Sequence, residues 1–348
     1  MNNELKKRFV NDNKIPINVF EEEHWNYQLD LFEGYFKSRT AWNNLCSGIK
    51  EEYDGNPDLF LKAFYDRRER MIQEIGNNAP PSYKSGENKI VAKEYIRSKF
   101  YDITQDYLST VQRKDLYNKE NLESWFLSID LVKANFQALR WYYPDFFPGV
   151  KKEESTQSAY LSWLSYFEKP EEKCLNSYIK SSKYFREVVF GNLNPDRQIR
   201  IEHWMIAKVC DKVKEILDQE NAKYLARQHG SDEVVLEVED YEHINSILPK
   251  IKEATKFVEG IGQVDVKIEL YKLSGLDIKT WAGKDVDAYR KLYLDGSFTL
   301  KSIDKHYFPQ IYEFFMGIEP DKDDRDLVFN HGCNEPAKFI HRLVRKSL

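Results

Sequence analysis

Two acidic positions interrupt apolar runs in this chain, and they constrain its fold more than any other feature. Asp130 ends the run Trp125-Phe126-Leu127-Ser128-Ile129. Asp232 and Glu233 stand where His229-Gly230-Ser231 leads into Val234-Val235-Leu236-Glu237-Val238. Short apolar runs bounded by turn residues read as buried strands. Asp is depleted in strands, and a buried carboxylate without a partner is costly. Two such strand ends on one sheet would bring their carboxylates together, and a divalent cation relieves their repulsion. Mg2+ takes a few hard carboxylate oxygens and completes its shell with substrate phosphates. A pair of such ions about 3.5–4 Å apart activates an attacking hydroxyl and stabilises a leaving pyrophosphate. Asp130 and Asp232 are therefore the candidate ligands for Mg2+ or Mn2+, with Glu233 beside them. Each has a plainer reading as well: Asp130 caps a helix starting at Leu131, and Asp232 makes a turn.

The chain around these residues divides by periodicity. Residues 1–120 read as a mainly helical N-terminal region, with Phe20, Trp25, Leu29, Phe32 and Phe36 at helical spacing. Leu59, Phe60, Phe64 and Ile72 repeat the pattern, as do Ile96, Phe100, Ile103, Tyr107 and Val111 beyond the Gly76–Pro81 break. A sheet domain spans residues 121–275, with an insertion at 141–197. Within it, helices are expected from Leu131 to Trp141, Ser182 to Phe190, about Arg197 to Asp218, and 241 to 257. Val264 to Leu270 alternates at strand period. Residues 276–348 form a C-terminal extension, a hairpin about Asp295-Gly296 followed by a helical tail. The order strand, helix, helix, strand-turn-strand, helix, strand predicts an α+β fold, an antiparallel sheet with helices on one face.

Composition narrows the partners. The 348 residues carry a formal charge of −5, so no global positive field draws polyanions to the protein. Contact with nucleic-acid phosphates must come from local clusters, of which Arg67 and Arg68 are one and Arg197 a further candidate. The four cysteines are dispersed, with no C-x-x-C pair, and read as reduced thiols. The N-terminus lacks a secretory pattern, and no apolar run is long enough to span a bilayer. A cytoplasmic protein with no membrane partner is expected.

The acidic segments resemble known motifs. F-L-S-I-D-L-V-K-A-N-F-Q-A-L-R is similar to motif A of family A DNA polymerases, and H-G-S-D-E-V-V-L-E-V to their motif C. Between them, K-Y-F-R-E-V-V-F-G resembles the nucleotide-binding motif B helix. The same residues resemble the metal motifs of diguanylate cyclases and of tRNA-His guanylyltransferases. All of these families share a palm domain. The resemblance implies a polymerase-type palm with a fingers-like insertion, using nucleoside triphosphates and Mg2+ or Mn2+ on DNA or RNA. Asp130 and Asp232 would bind metal, Glu233 would assist catalysis, and Lys183, Arg186 and Phe190 would bind the nucleotide. A nucleotide cyclase, a reverse-direction nucleotidyltransferase and a non-catalytic palm-like interaction protein are the alternatives.

Overall fold

The computed structural model describes residues 2–78, 116–142, 147, 149–151, 154–191, 195–230, 232–280, 285–303 and 307–317, with three short strands beyond. The run Trp125–Leu131 forms strand β1 inside an antiparallel sheet, and its residues are buried on both faces, which explains their near-continuous apolar character. The hairpin β2 (Tyr224–His229) and β3 (Glu233–Val238) lies on one side of it. On the other side run β6 (Val266–Thr280), β7 (Asp285–Tyr293) and β8 (Phe298–Lys301), after a two-strand ribbon of β4 (Phe257–Val258) and β5 (Gly262–Gln263). The strand order is β2-β3-β1-β6-β7-β8.

Among the described residues, five α-helices precede β1: α1 (Asn3–Asn13), α2 (Glu22–Leu31), α3 (Glu33–Phe36), α4 (Ser38–Glu52) and α5 (Pro57–Asn78). After β1 come α6 (Ala134–Tyr142), α7 (Thr156–Ser165), α8 (Lys173–Ser181), α9 (Lys183–Gly191) and α10 (Pro195–Gln219). Helix α11 (Tyr241–Ala254) joins β3 to the β4–β5 ribbon, and α12 (Phe308–Phe315) follows β8. The segment from β1 to β6 thus has the split βαβ arrangement of ferredoxin-like domains, in which the first strand lies between the third and the fourth. Many unrelated functions use that arrangement.

Alternation along the strands sorts the two faces. Leu127, Ile129, Leu131, Val234, Leu236, Val238, Ile268 and Leu270 enter the main core with Val209, Val213, Ile244 and Ile251 from α10 and α11. Helix α10 packs on β1 and β3 because its apolar residues recur at three and four. On the other face, Phe126, Val235, Tyr271, Leu273 and Tyr289 gather under Leu116 and Tyr117. There Gly275 of β6 lies against Leu122, whose side chain would have to shift for a Cβ 2.8 Å away.

The α+β class and the helix-backed antiparallel sheet agree with the sequence reading. Three particulars differ. The sheet does not stop at residue 275: β6 runs to Thr280 and carries β7 and β8 in the same sheet. The tail is not simply helical, because β9 (Asp326–Phe329) pairs with β10 (Ala337–Ile340), and β11 (Leu343–Arg345) pairs with β6. The inserted helices do not stand apart either. Helices α8 and α9 pack on α4, α5 and α1, and share one core with Phe9, Trp25 and Phe64. The helix expected over Ile96 to Val111 lies outside the described residues.

Candidate active site

The register of β1 and β3 decides which carboxylates meet. Asp130 lies directly opposite Glu233. Leu131 N–H donates to the Asp232 carbonyl at 2.8 Å, which makes Leu131 and Asp232 the hydrogen-bonded pair of the ladder. Asp130 and Glu233 are then a non-hydrogen-bonded pair, the kind in which side chains approach most closely. Both project from the face that also carries Ser128. Asp232 sits one residue earlier, exposed at the hairpin turn, which closes as Gly230 N–H donates to the Glu233 carbonyl at 2.7 Å.

Glu233 is held firmly. Ser128 Oγ donates to its Oε1 at 2.7 Å, and Lys291 Nζ donates to the same oxygen at 2.9 Å. No described group bonds Oε2. Lys291 reaches across from β7 with its side chain 3% exposed, over the Tyr271 ring at 4.6 Å. Burial pushes the Glu233 carboxyl up, but the Lys291 charge and the bonds from Lys291 and Ser128 outweigh it, leaving Glu233 below its usual value. Asp130 has no such bond among the described residues. Burial first, then Glu233 and Asp232, raise it to about 6, against weaker pulls from Lys291 and Lys267.

A third acid comes from α10. Glu202 is buried, and burial first, then the Asp232 charge, push its carboxyl up to about 8. His203 beside it is lowered by burial and raised by Asp232. Its ring centroid lies 6.5 Å from that of His229, which burial and His203 also lower.

The turn after Asp130 is pinned. Gln137, buried, donates from Nε2 to the Val132 and Asp265 carbonyls at 2.6 and 2.7 Å, and accepts from Asp265 N–H at 3.0 Å. Lys133, at the end of this turn, has φ 50, a left-handed backbone uncommon for a lysine. Its ammonium and the Arg186 guanidinium both lie over the ring of Tyr160.

The other predicted residues are scattered. Phe190 is 1% exposed and packs among Phe136, Phe147 and Trp163, at 5.3 Å from Trp163. It belongs to the core and offers no free face to a base. Lys183 points to solvent, 3.9 Å from Glu187. Arg67 is buried and bound to Asn176 and Glu172, so it cannot follow a nucleic-acid backbone. Arg68 pairs with Glu69 at 2.9 Å and lies over Tyr65. Arg197 falls in α10, but its side chain lies outside the described residues.

Lys291, Ser128, Gln137, Lys133 and Glu202 went unread in the sequence. Lys291 left a signal: in Y-R-K-L-Y it alternates with Tyr289 and Tyr293 and so shares their inward face. Glu202 sits between Ile201 and Trp204-Met205-Ile206 on an apolar helix face, where an acid is out of place.

Asp130 and Glu233 present facing carboxylates from neighbouring strands, the donor type a hard divalent ion takes, with Asp130 raised first by burial and then by the Glu233 and Asp232 charges. Among the described residues, no three or more His, Cys, Asp or Glu side chains converge as a complete cage. Mg2+ needs no such cage when waters and substrate phosphates fill its shell. No helix among the described residues is long and apolar enough to cross a membrane. No family model matches the chain, and no curated protein matches it significantly.

Proposed function

We propose that this chain transfers nucleotidyl groups from nucleoside triphosphates with Mg2+ or Mn2+, its sheet serving as a polymerase-type palm that extends DNA or RNA on a template. One observation carries the reading: Asp130 faces Glu233 across β1 and β3, beside Asp232 at the hairpin turn. A divalent ion held there would lower the barrier by acidifying the attacking hydroxyl and neutralising the leaving pyrophosphate. The side chains do the rest. Ser128 and Lys291 keep Glu233 ionised and fix its orientation, while Asp130, raised to about 6, is ionised at neutral pH and ready to bind a cation. Arg186 takes the phosphates. Labelled triphosphates incubated with Mn2+ and primed or unprimed templates test this, with Asp130→Asn as the control that must lose activity.

Arg67 is committed to Glu172 and Asn176, and Arg68 to Glu69, which removes a cluster that would grip a backbone. That favours a small-molecule reaction on the same carboxylates, a nucleotide cyclase or an untemplated transfer. Turnover that does not depend on added nucleic acid separates it from the first.

A further inference from the structure

Among the described residues, Lys133 and Arg186 share one aromatic ring and no anion. The Lys133 ammonium lies 5.3 Å from the Tyr160 ring centroid, and the Arg186 guanidinium 5.8 Å. Neither pairs with a carboxylate among the described residues. Lys133 donates to the neutral Gln157 Oε1, and the buried Arg186 Nε has no hydrogen-bond partner. The Tyr160 hydroxyl, on a side chain 1% exposed, is buried and unpartnered too. Burial and the neighbouring Arg186 charge both hold Lys133 below the usual lysine value.

A half-buried cation normally finds a carboxylate, and a buried donor normally finds an acceptor. Here two cations repel one another and two donors go unused, all about one ring. A ligand with several anionic oxygens relieves the repulsion between the two cations. A carboxylate or a halide supplies a single charge and leaves one cation unneutralised, whereas linked phosphates supply charge at several centres. Guanidinium matches phosphate oxygens in a planar fork, and an ammonium adds a compact point charge.

We propose that Lys133, Arg186 and Tyr160 form a subsite for an oligophosphate chain, the tail of a nucleoside triphosphate. Its place in the fold suits that ligand. Lys133 closes the pinned turn three residues after Asp130, while Tyr160 and Arg186 come from the inserted helices α7 and α9. The subsite therefore joins the acidic end of the sheet to the insertion, and the bound chain would tie the two together. Naming a nucleotide rests on the function proposed above, whereas the anion subsite does not.

Calorimetric titration of the full chain with sodium tripolyphosphate, without divalent ions, tests the subsite. The wild type should bind, and Lys133→Met and Arg186→Met should each weaken binding on the order of tenfold or more, the effect of one charge-assisted contact. Without ligand both variants should melt at or above the wild-type temperature, since each removes one of two repelling cations. That separates lost binding from lost fold. Asp130→Asn should bind tripolyphosphate at least as tightly as the wild type, so this result stands apart from the carboxylate chemistry. Absence of binding at low salt, or unchanged affinity in both Met variants, overturns the subsite. ATP and GTP, titrated in parallel, should lose affinity in the same variants. Tripolyphosphate binding without nucleotide binding overturns the nucleotide assignment.

Discussion

Lys291 Nζ lies 2.9 Å from Glu233 Oε1 with its side chain 3% exposed, and so acts as the fixed counter-charge of the acidic face. Removing it leaves Glu233 partly buried and unpaired beside Asp130. Lys291→Met should lower unfolding stability at pH 7 by about 2–3 kcal/mol, below the usual loss for a fully buried pair because Glu233 keeps some solvent. Mn2+ should restore part of that loss, by binding where the ammonium was. Urea titrations with and without Mn2+ measure both. A variant as stable as the wild type, or indifferent to Mn2+, contradicts this role.

Asp130 sets a dependence on pH. Its carboxyl is raised to about 6 in the folded chain, from about 3.9 when unfolded. Between those values the folded state holds a proton that the unfolded state has released, so stability falls as pH rises through that window. At pH 7 the cost is on the order of 3 kcal/mol. Asp130→Asn escapes it. The variant should match the wild type near pH 4 and exceed it at pH 7, read as a widening gap between urea midpoints. A variant less stable at pH 7 than the wild type means that Asp130 is not crowded by charge.

Arg67 shows the opposite case, a charge that looks like a binding residue and is structural. Arg67→Met strands Glu172 and Asn176, and should cost about 3 kcal/mol, the loss expected when one partner of a buried ion pair is removed. The salt dependence of any oligonucleotide binding should not change, since Arg67 contacts no phosphate. Thermal melts and binding isotherms across a salt series check both halves. A shallower salt slope with unchanged melting would return Arg67 to the surface.

What the sequence revealed follows from what local pattern encodes. The β2–β3 turn and β1 were legible because short apolar runs meet turn residues there, and the Asp295-Gly296 hairpin because Gly296 takes φ 82. The length of β6 was not legible. Beyond Leu273 its residues include Ser274, Gly275 and Asp277, which are poor strand formers held in place by pairing with β7. Phe190 misled because an aromatic on an amphipathic helix looks the same whether it meets a base or Trp163. Asp232 was paired with Asp130 by proximity to the turn, yet the one-residue register puts Glu233 opposite Asp130, and register is set by the whole ladder. Lys291 lies far along the chain from its partner, and such a contact leaves no local trace beyond its alternation with two tyrosines.

If Asp130 and Glu233 hold a divalent ion for nucleotidyl transfer, turnover and ion binding both depend on the two carboxylates. The direct measurement is incorporation or release of label from α-labelled nucleoside triphosphates with Mn2+, comparing the wild type with Asp130→Asn and Glu233→Gln. Mn2+ affinity, read in parallel by electron paramagnetic resonance, controls for fold and binding. Turnover is expected of the wild type, with its loss in both variants by at least about a hundredfold, and weaker Mn2+ binding as pH falls below 6, where a proton competes for Asp130. Near wild-type turnover in either variant, with Mn2+ affinity unchanged, would contradict that dependence.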